Sequence, residues 1–246
     1  MKTICLWSGP RNVSTALMYS FAERRDTRVV DEPIYGHFLR VTGIDHPGRD
    51  AVIAAMDCDG DRVMRTLLDL KDPDVDYLFL KQMAHHLVDI DTAFLDVTRT
   101  IFLIRDPEQM LPSLTIQLPD AGLDDTGLKK QWDLYRRLVD TGQRPAIIDS
   151  RELLLDPAGV LRGLCDQIGM PYTDDMLSWH AGPRDEDGVW ADYWYHAVHK
   201  STGFSSYVHK TDFPDRLRPL LEECAPWYEK LAAHAIRAGD HQDERP

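Results

Sequence analysis

The sequence contains little cysteine and no long apolar run. Its four cysteines stand far apart, and none has the spacing of a metal site: Cys5, Cys58, Cys165 and Cys224. Three of them lie in apolar surroundings, so we expect reduced core thiols and a reducing compartment. No apolar stretch has the length of a membrane span, and the chain opens on a predicted strand without a signal-peptide pattern. We therefore expect a cytoplasmic protein without a membrane anchor.

Basic residues are also few. Lysine and arginine number 28 against 41 aspartates and glutamates, which gives a formal net charge of −13. This excess of negative charge disfavours nucleic acid, heparin-like polymers and anionic membranes as partners. An anion must therefore bind at a local basic pocket, and we expect a small-molecule partner. The oligomeric state stays open.

Apolar runs alternate along the chain with stretches of helical periodicity. Five runs are typical of buried strands: 3–7, 28–30, 77–80, 100–104 and 146–148. Buried strands that alternate with helices predict a parallel sheet covered on both faces. We therefore predict an α/β fold. It is a single three-layer domain over 1–238, with a central parallel sheet of about five strands and a helical C-terminal part. Residues 239–246 are expected to form a disordered tail.

The stretch 8–15 joins the first predicted strand to a helical run that begins at Ser14. A helix N-terminus presents unpaired backbone N–H groups and the positive end of a dipole, which together bind phosphate or sulfate. Arg11 adds a guanidinium suited to a tetrahedral anion. Ser14 and Thr15 can cap the helix and donate hydroxyls to a ligand. Taken alone, the stretch fits an ordinary turn with a surface arginine equally well.

A second strand end carries the same pair of residue types. Arg105 follows the run 100–104, Pro107 suits the first turn of a helix, and Ser113 lies on that helix. Because open α/β sheets bind ligands at the carboxyl ends of their strands, we expect both arginines at one edge of the sheet. Two strand ends that each offer an arginine and a hydroxyl predict a ligand with two separated anionic groups.

These two segments resemble the sulfotransferase superfamily, whose fold is P-loop-like. Residues 10–15 resemble its first phosphate loop. Five residues match every fixed position of its second motif: Phe102, Arg105, Asp106, Pro107 and Ser113. The resemblance implies the co-substrate 3′-phosphoadenosine 5′-phosphosulfate (PAPS) and the product 3′-phosphoadenosine 5′-phosphate (PAP).

The resemblance also implies roles for single residues. The 5′-phosphosulfate is expected in the first loop, which comprises Gly9, Pro10, Arg11, Asn12, Val13, Ser14 and Thr15. Arg105 and Ser113 are expected to hold the 3′-phosphate. Lys200 lies in a segment that loosely resembles a basic loop of the family, and that loop covers the same phosphate.

Several positions depart from the family's usual residues, among them the pair Asn12-Val13 in the first loop. Ala16 and Ser150 stand where a stacking tryptophan and a tyrosine are often found, so the adenine contacts stay open. Val13 replaces the usual glycine of the first loop. Because a positive φ is costly for a β-branched residue, we expect a loop of different shape or a negative φ there.

Sulfuryl transfer requires in-line positioning, a base for the acceptor proton and positive charge at the leaving phosphate. Arg11 and Lys81 are the cations predicted for that phosphate, and no metal is implied. Glu32 follows the second strand and, by resemblance to bacterial and protein-tyrosine sulfotransferases, is the predicted base. His85 is the rival, since histidine has the better ordinary pKa for a base near neutrality.

The predicted function is a PAPS-dependent transfer of a sulfuryl group to a hydroxyl or amine of a small molecule. Two other functions stay open: a small-molecule kinase of related P-loop fold, and a catalytically silent protein that binds PAP or another nucleotide. The chain lacks the Gly-Lys pair of a kinase's Walker loop. The unusual Asn12-Val13 pair and the absent stacking aromatics leave the silent binder open. The acceptor is expected to contact residues 34–70 and 171–212. Neither segment has a sequence pattern that identifies the acceptor.

Overall fold

The computed structural model describes residues 1–239. Within them the chain forms one five-stranded sheet with helices around it, which confirms the predicted α/β fold. Apart from Gly239, the predicted tail 239–246 lies outside the described residues, and the domain boundary at 238 stays a prediction. No helix within 1–239 has both the length and the apolar character that crossing a bilayer requires.

The sheet is built from parallel strands that correspond to the five apolar runs. The strands are β1 (Lys2–Ser8), β2 (Thr27–Asp31), β3 (Tyr77–Met83), β4 (Arg99–Ile104) and β5 (Ala146–Asp149). Their order across the sheet is β2-β3-β1-β4-β5, and every pairing is parallel. All carboxyl ends therefore meet at one edge, with β1 in the middle.

The helices connect these strands and cover the sheet. They are α1 (Ser14–Ala22), α2 (Tyr35–Thr42), α3 (Arg49–Ala55), α4 (Gly60–Leu68), α5 (Pro107–Gln117), α6 (Leu123–Thr126), α7 (Leu128–Asp140), α8 (Ser150–Leu155), α9 (Pro157–Ile168), α10 (Ala191–Trp194) and α11 (Arg218–Ala232). Single 3₁₀ turns lie at Ala84–His86, Ala93–Asp96, Asp174–Leu177, Val198–Lys200 and Asp215–Leu217. The segment 171–212 contains only such short turns and α10.

The two faces of the sheet carry separate apolar cores. On one face Phe21 of α1 stacks on Phe79 of β3, with ring centroids 4.1 Å apart. On the other face the ring centroids of Trp7 and Phe94 lie 6.3 Å apart. Because both faces are covered, the strands appear in the sequence as apolar runs rather than as alternating patterns.

Strand β3 is longer than the apolar run that predicted it. It continues through Lys81 and Gln82 to Met83, and these residues pair with Leu6, Trp7 and Ser8 of β1. The strand therefore extends three residues beyond the predicted run 77–80. All seven residues of β3 are buried, the lysine included. The Lys81 ammonium is tolerated there because it is hydrogen-bonded within the protein.

Gly9 lies where the loop after β1 touches α6. A Cβ built on it would lie 2.4 Å from the carbonyl oxygen of Thr126. We expect Gly9→Ala to lower the free energy of unfolding by about 1–3 kcal/mol, measured by urea denaturation. Gly122→Ala is the control, because its added Cβ meets only the Asp125 carboxylate, at 4.0 Å. Equal stability of the two variants would contradict the close contact.

Candidate active site

The loop between β1 and α1 contains two left-handed residues. Arg11 has a φ of 60° and Val13 a φ of 62°, whereas Asn12 between them lies outside that region. Such alternation turns backbone N–H groups to one side and forms a concavity that binds anions. The expected negative φ at Val13 is therefore wrong. A non-glycine residue in this region costs about 1–3 kcal/mol, so other contacts must hold it.

Contacts from neighbouring strands hold the loop in this shape. Arg105 Nη1 donates to the carbonyl oxygen of Arg11 over 2.7 Å, and Asn12 Nδ2 donates to that of Leu103 over 3.2 Å. Ser150 Oγ donates to the carbonyl oxygens of Asn12, at 3.2 Å, and Ile104, at 2.7 Å. Tertiary contacts rather than local sequence therefore impose the left-handed conformation.

Helix α1 presents its N-terminus to the same space. Val13 is its N-cap and makes no side-chain capping bond. The prediction that Ser14 and Thr15 cap the helix is wrong, because both residues lie inside the first turn. The first N–H groups of a helix have no intrahelical acceptor, and here no side-chain cap occupies them.

Two arginines from different strand ends meet beside this loop. Arg11 Nε donates to Ser113 Oγ over 2.9 Å, so the two sequence motifs are brought together in space. Burial lowers the pKa of both Arg11 and Arg105, and the proximity of Arg11 lowers that of Arg105 further. Among residues 1–239, neither guanidinium forms an ion pair with a carboxylate. The pair is therefore a site of positive potential.

These groups line a cavity of about 370 Å³ at the carboxyl edge of the sheet. The predicted site residues that line it are Pro10, Arg11, Asn12, Val13, Ser14, Thr15, Glu32, Lys81, His85, Arg105 and Ser113. Gly9 and Lys200 do not line it: Gly9 is buried against Thr126, and Lys200 is exposed. Lys210, which the sequence did not single out, lines the cavity instead.

Glu32 is held at the end of β2 by both its backbone and its side chain. Its φ is 42°, a third left-handed non-glycine residue at this edge. Its backbone N–H donates to the carbonyl oxygen of Lys81 over 2.8 Å, and its Oε1 lies 2.5 Å from Lys81 Nζ. The orientation of the carboxylate is therefore fixed from two sides.

The Lys81 ammonium is fully buried and uses all three donors within the protein. It donates to Asp31 Oδ1 at 2.8 Å, Glu32 Oε1 at 2.5 Å and Tyr195 Oη at 2.6 Å. Tyr195 in turn donates to Asp31 Oδ2 over 2.6 Å and accepts from Trp190 Nε1 over 3.1 Å. In this arrangement Lys81 has no donor left for a ligand phosphate, although it lines the cavity.

Burial and charge act in opposite directions on this cluster. Burial raises the pKa of Glu32 to about 7 against the attraction of Lys81, and the neighbouring Asp31 raises it further. Burial opposes the charged form of Lys81, but the carboxylates of Asp31 and Glu32 outweigh it and raise the lysine's pKa. Glu32 is thus a carboxylate whose pKa lies near neutrality and which lines the cavity.

His85 and His86 occupy the 3₁₀ turn that follows β3. His86 stacks on Tyr35 at a centroid distance of 4.6 Å, and its Nδ1 lies 3.7 Å from Glu32 Oε2. Burial lowers the pKa of His85 to about 3 and that of His86 well below its ordinary value. Both rings are therefore neutral at pH 7, and His85 is a much weaker base than Glu32.

Sequence reasoning missed two members of the buried cluster. They are Asp31, at the end of β2, and Tyr195. The sequence gives no signal that the hydroxyl of Tyr195 reaches Asp31, which lies 164 residues away along the chain. Within residues 1–239 no group of three or more His, Cys, Asp or Glu side chains is placed to bind a metal.

Comparison with known proteins gives a family model and several relatives. A model described as the sulfotransferase domain matches residues 1–235. Among solved structures, a sulfotransferase from Alicyclobacillus acidocaldarius has a TM-score of 0.55 and 12% sequence identity, over 96% of this chain and 97% of that one. At this identity the likeness shows the fold alone.

Two curated proteins of Arabidopsis thaliana are also similar. They are named branched-chain-amino-acid aminotransferase-like protein 2 and protein 1, and they are 40% and 42% identical to the chain over 95% and 93% of its length. The matched parts make up 42% and 41% of those proteins. The chain therefore spans less than half the length of these relatives.

Lys81→Met leaves two buried carboxylates without their cation. Removing one partner of a buried ion pair costs about 3–5 kcal/mol, and we expect a loss of that order in the free energy of unfolding at about pH 8. The pKa of Glu32, already above its ordinary 4.5, rises further in the variant. The free energy of unfolding of the variant should therefore be lowest at about pH 8 and should rise as the pH falls from there towards the ordinary pKa of 4.5.

Chemical denaturation across pH measures this effect. Lys71→Met is the control, since Lys71 is exposed and its removal should cost little at any pH. A loss in Lys81→Met that does not change with pH would show that the ammonium does not stabilise the carboxylates.

Proposed function

The chain belongs to the sulfotransferase domain family, and from this premise we propose that it transfers a sulfuryl group from PAPS to a hydroxyl or amine of a small molecule. The observation that carries the proposal is the pair of half-buried arginines, Arg11 and Arg105, which have no carboxylate partner within residues 1–239. Desolvated cations without a counterion are costly, so a pair of them beside a helix N-terminus suits an anionic ligand.

The groups along the cavity fit the two ends of the donor. The N–H groups of the first loop and of α1, together with Arg11, suit the 5′-phosphosulfate. Arg105 and Ser113 suit the 3′-phosphate, with Lys210 as a further cation along the same cavity. Lys200 is a weaker candidate, since it lies on the surface outside the cavity.

The acceptor hydroxyl and the leaving phosphate each have a residue that can act on them. Glu32 accepts the proton of the acceptor hydroxyl as the acceptor oxygen bonds to sulfur. Arg11 stabilises the negative charge that develops on the phosphate oxygen as its bond to sulfur breaks. Lys81 and Tyr195 act as positioning residues, because their hydrogen bonds fix Glu32 and Asp31. We propose His85 only as a wall of the acceptor pocket.

The names of the two plant relatives do not change this proposal. They belong to proteins of which the matched part is 42% and 41%. A name given to a whole protein does not assign an activity to less than half of it. The four free cysteines suit a reducing compartment, so a cytoplasmic location remains part of the proposal.

PAP without metal should stabilise the protein, and Arg105→Ala should remove most of that stabilisation. Binding at 100 times the dissociation constant adds about 2.7 kcal/mol, which is measurable as a rise in melting temperature. Arg99→Ala is the control, because Arg99 lies at the opposite end of the same strand β4. An unchanged PAP shift in Arg105→Ala, with a lower melting temperature, would assign Arg105 a structural role.

The same measurement separates the alternatives. Stabilisation by ATP with magnesium but not by PAP would favour a kinase. Stabilisation by PAP without turnover of any acceptor would favour a silent binding protein.

Glu32→Gln should retain PAP binding and lose about 10²–10⁴ in transfer rate, because the amide keeps the shape and cannot accept the proton. In the wild type, kcat/KM should fall as the pH drops below about 7, since protonation removes the base. The activity that remains in Glu32→Gln should lack this decline. The measurement is release of PAP from PAPS in the presence of an acceptor. Near-normal turnover in Glu32→Gln together with its loss in His85→Ala would assign the base to His85.

A further inference from the structure

The walls of the cavity around Glu32 carry no free positive charge within residues 1–239. Tyr35, Trp190 and Trp194 form aromatic surfaces there. The histidines that line it are neutral, because burial lowers the pKa of His46, as it does for His85 and His86. Lys81 is neutralised by its two carboxylates. The cavity therefore has a cationic region at the arginines and an uncharged aromatic region around the base.

An acidic cleft adjoins this aromatic region, since His46, Leu118 and Asp125 line both. Three more aspartates line the cleft: Asp45, Asp50 and Asp120. The cleft has one basic side chain, Arg49, and its guanidinium is paired with Asp50 at 3.0 Å. Four carboxylates against one paired arginine attract a positively charged molecule and repel an anion.

Asp125 and His46 offer acceptors at the junction of cavity and cleft. Asp125 accepts the backbone N–H of Gly122 over 2.8 Å through Oδ2 and, among residues 1–239, has no cationic partner. His46 is 6% exposed; its Nδ1 lies 3.1 Å from Tyr35 Oη, and its Nε2 has no hydrogen-bond partner there. When Nδ1 carries the proton, Nε2 is a free acceptor.

We propose that the acceptor is an amino alcohol whose ammonium group binds at Asp125 and His46 while its hydroxyl reaches Glu32. The inference rests on the proposed sulfuryl transfer and names the acceptor class for the same site. A carboxylate and a neutral imidazole supply the acceptors that an ammonium requires, and aromatic faces attract cations. Arg11 and Arg105, which line the same cavity, remain available to the anionic donor.

Three alcohols that share the 3-phenylpropan-1-ol skeleton and differ in the charge of the substituent at C2 test the proposal: 2-amino-3-phenylpropan-1-ol, 3-phenylpropan-1-ol and 2-benzyl-3-hydroxypropanoate. Their binding is measured by calorimetry with and without saturating PAP, and their turnover by sulfated product formed from PAPS. We expect the amine to bind about tenfold more tightly than the neutral alcohol, with the carboxylate weakest. High salt should reduce the preference, because it screens exposed charges.

Asp125→Asn should abolish the tenfold preference for the amine. The asparagine oxygen can still accept the Gly122 N–H, so the turn is retained. Asp124→Asn is the matched control, since Asp124 is exposed on the same short helix and lines neither cavity nor cleft. The preference should persist in that variant.

Two results would overturn the inference: equal binding of the amine and the neutral alcohol, or an amine preference unchanged in Asp125→Asn. A failure of the proposed sulfuryl transfer would give a different result from either of these, because PAP would then not stabilise the wild type. Binding of the amine without PAP, and its dependence on Asp125, would still test the cation site.

Discussion

The buried ammonium of Lys81 is the interaction on which the site depends. Two carboxylates, Asp31 and Glu32, and one phenol, Tyr195, accept its three hydrogen bonds. Charges at this depth are tolerated only when they are paired and hydrogen-bonded. The lysine thereby joins the ends of β2 and β3 to a residue far along the chain. Its attraction also offsets part of the effect of burial, which raises the pKa of Glu32 to about 7.

The fold followed from the sequence because its physical causes are local. A strand covered on both faces needs a continuous apolar run, so Thr100 to Ile104 of β4 could be recognised without knowledge of its neighbours. The parallel arrangement followed from the alternation of strands and helices. The apolar run 77–80 is shorter than β3, because a lysine inside a buried strand is explained only by distant partners such as Asp31.

The site was predictable in part for the same reason. Arg11 and Arg105 each follow a strand, and parallel strands bring their ends together, so the proximity of the two residues could be anticipated. The conformation of Val13 could not, since local preference argues against it and tertiary bonds to Arg11 and Asn12 impose it. Lys200 and Lys210 lie in an irregular segment where spacing gives no direction, which explains why the sequence singled out the lysine outside the cavity.

The contact between Tyr195 and Asp31 spans 164 residues of chain. A ribosome makes about 5–20 residues per second, so Asp31 and Glu32 leave it on the order of ten seconds or more before the tyrosine. During that interval Lys81 lacks one of its three acceptors. The charge cluster must therefore wait for the last third of the chain, although β1 to β5 all precede it. A nascent or truncated chain that ends before Tyr195 lacks the complete cluster, and it also lacks Ile236, whose backbone N–H donates to the carbonyl oxygen of Ile147 in β5.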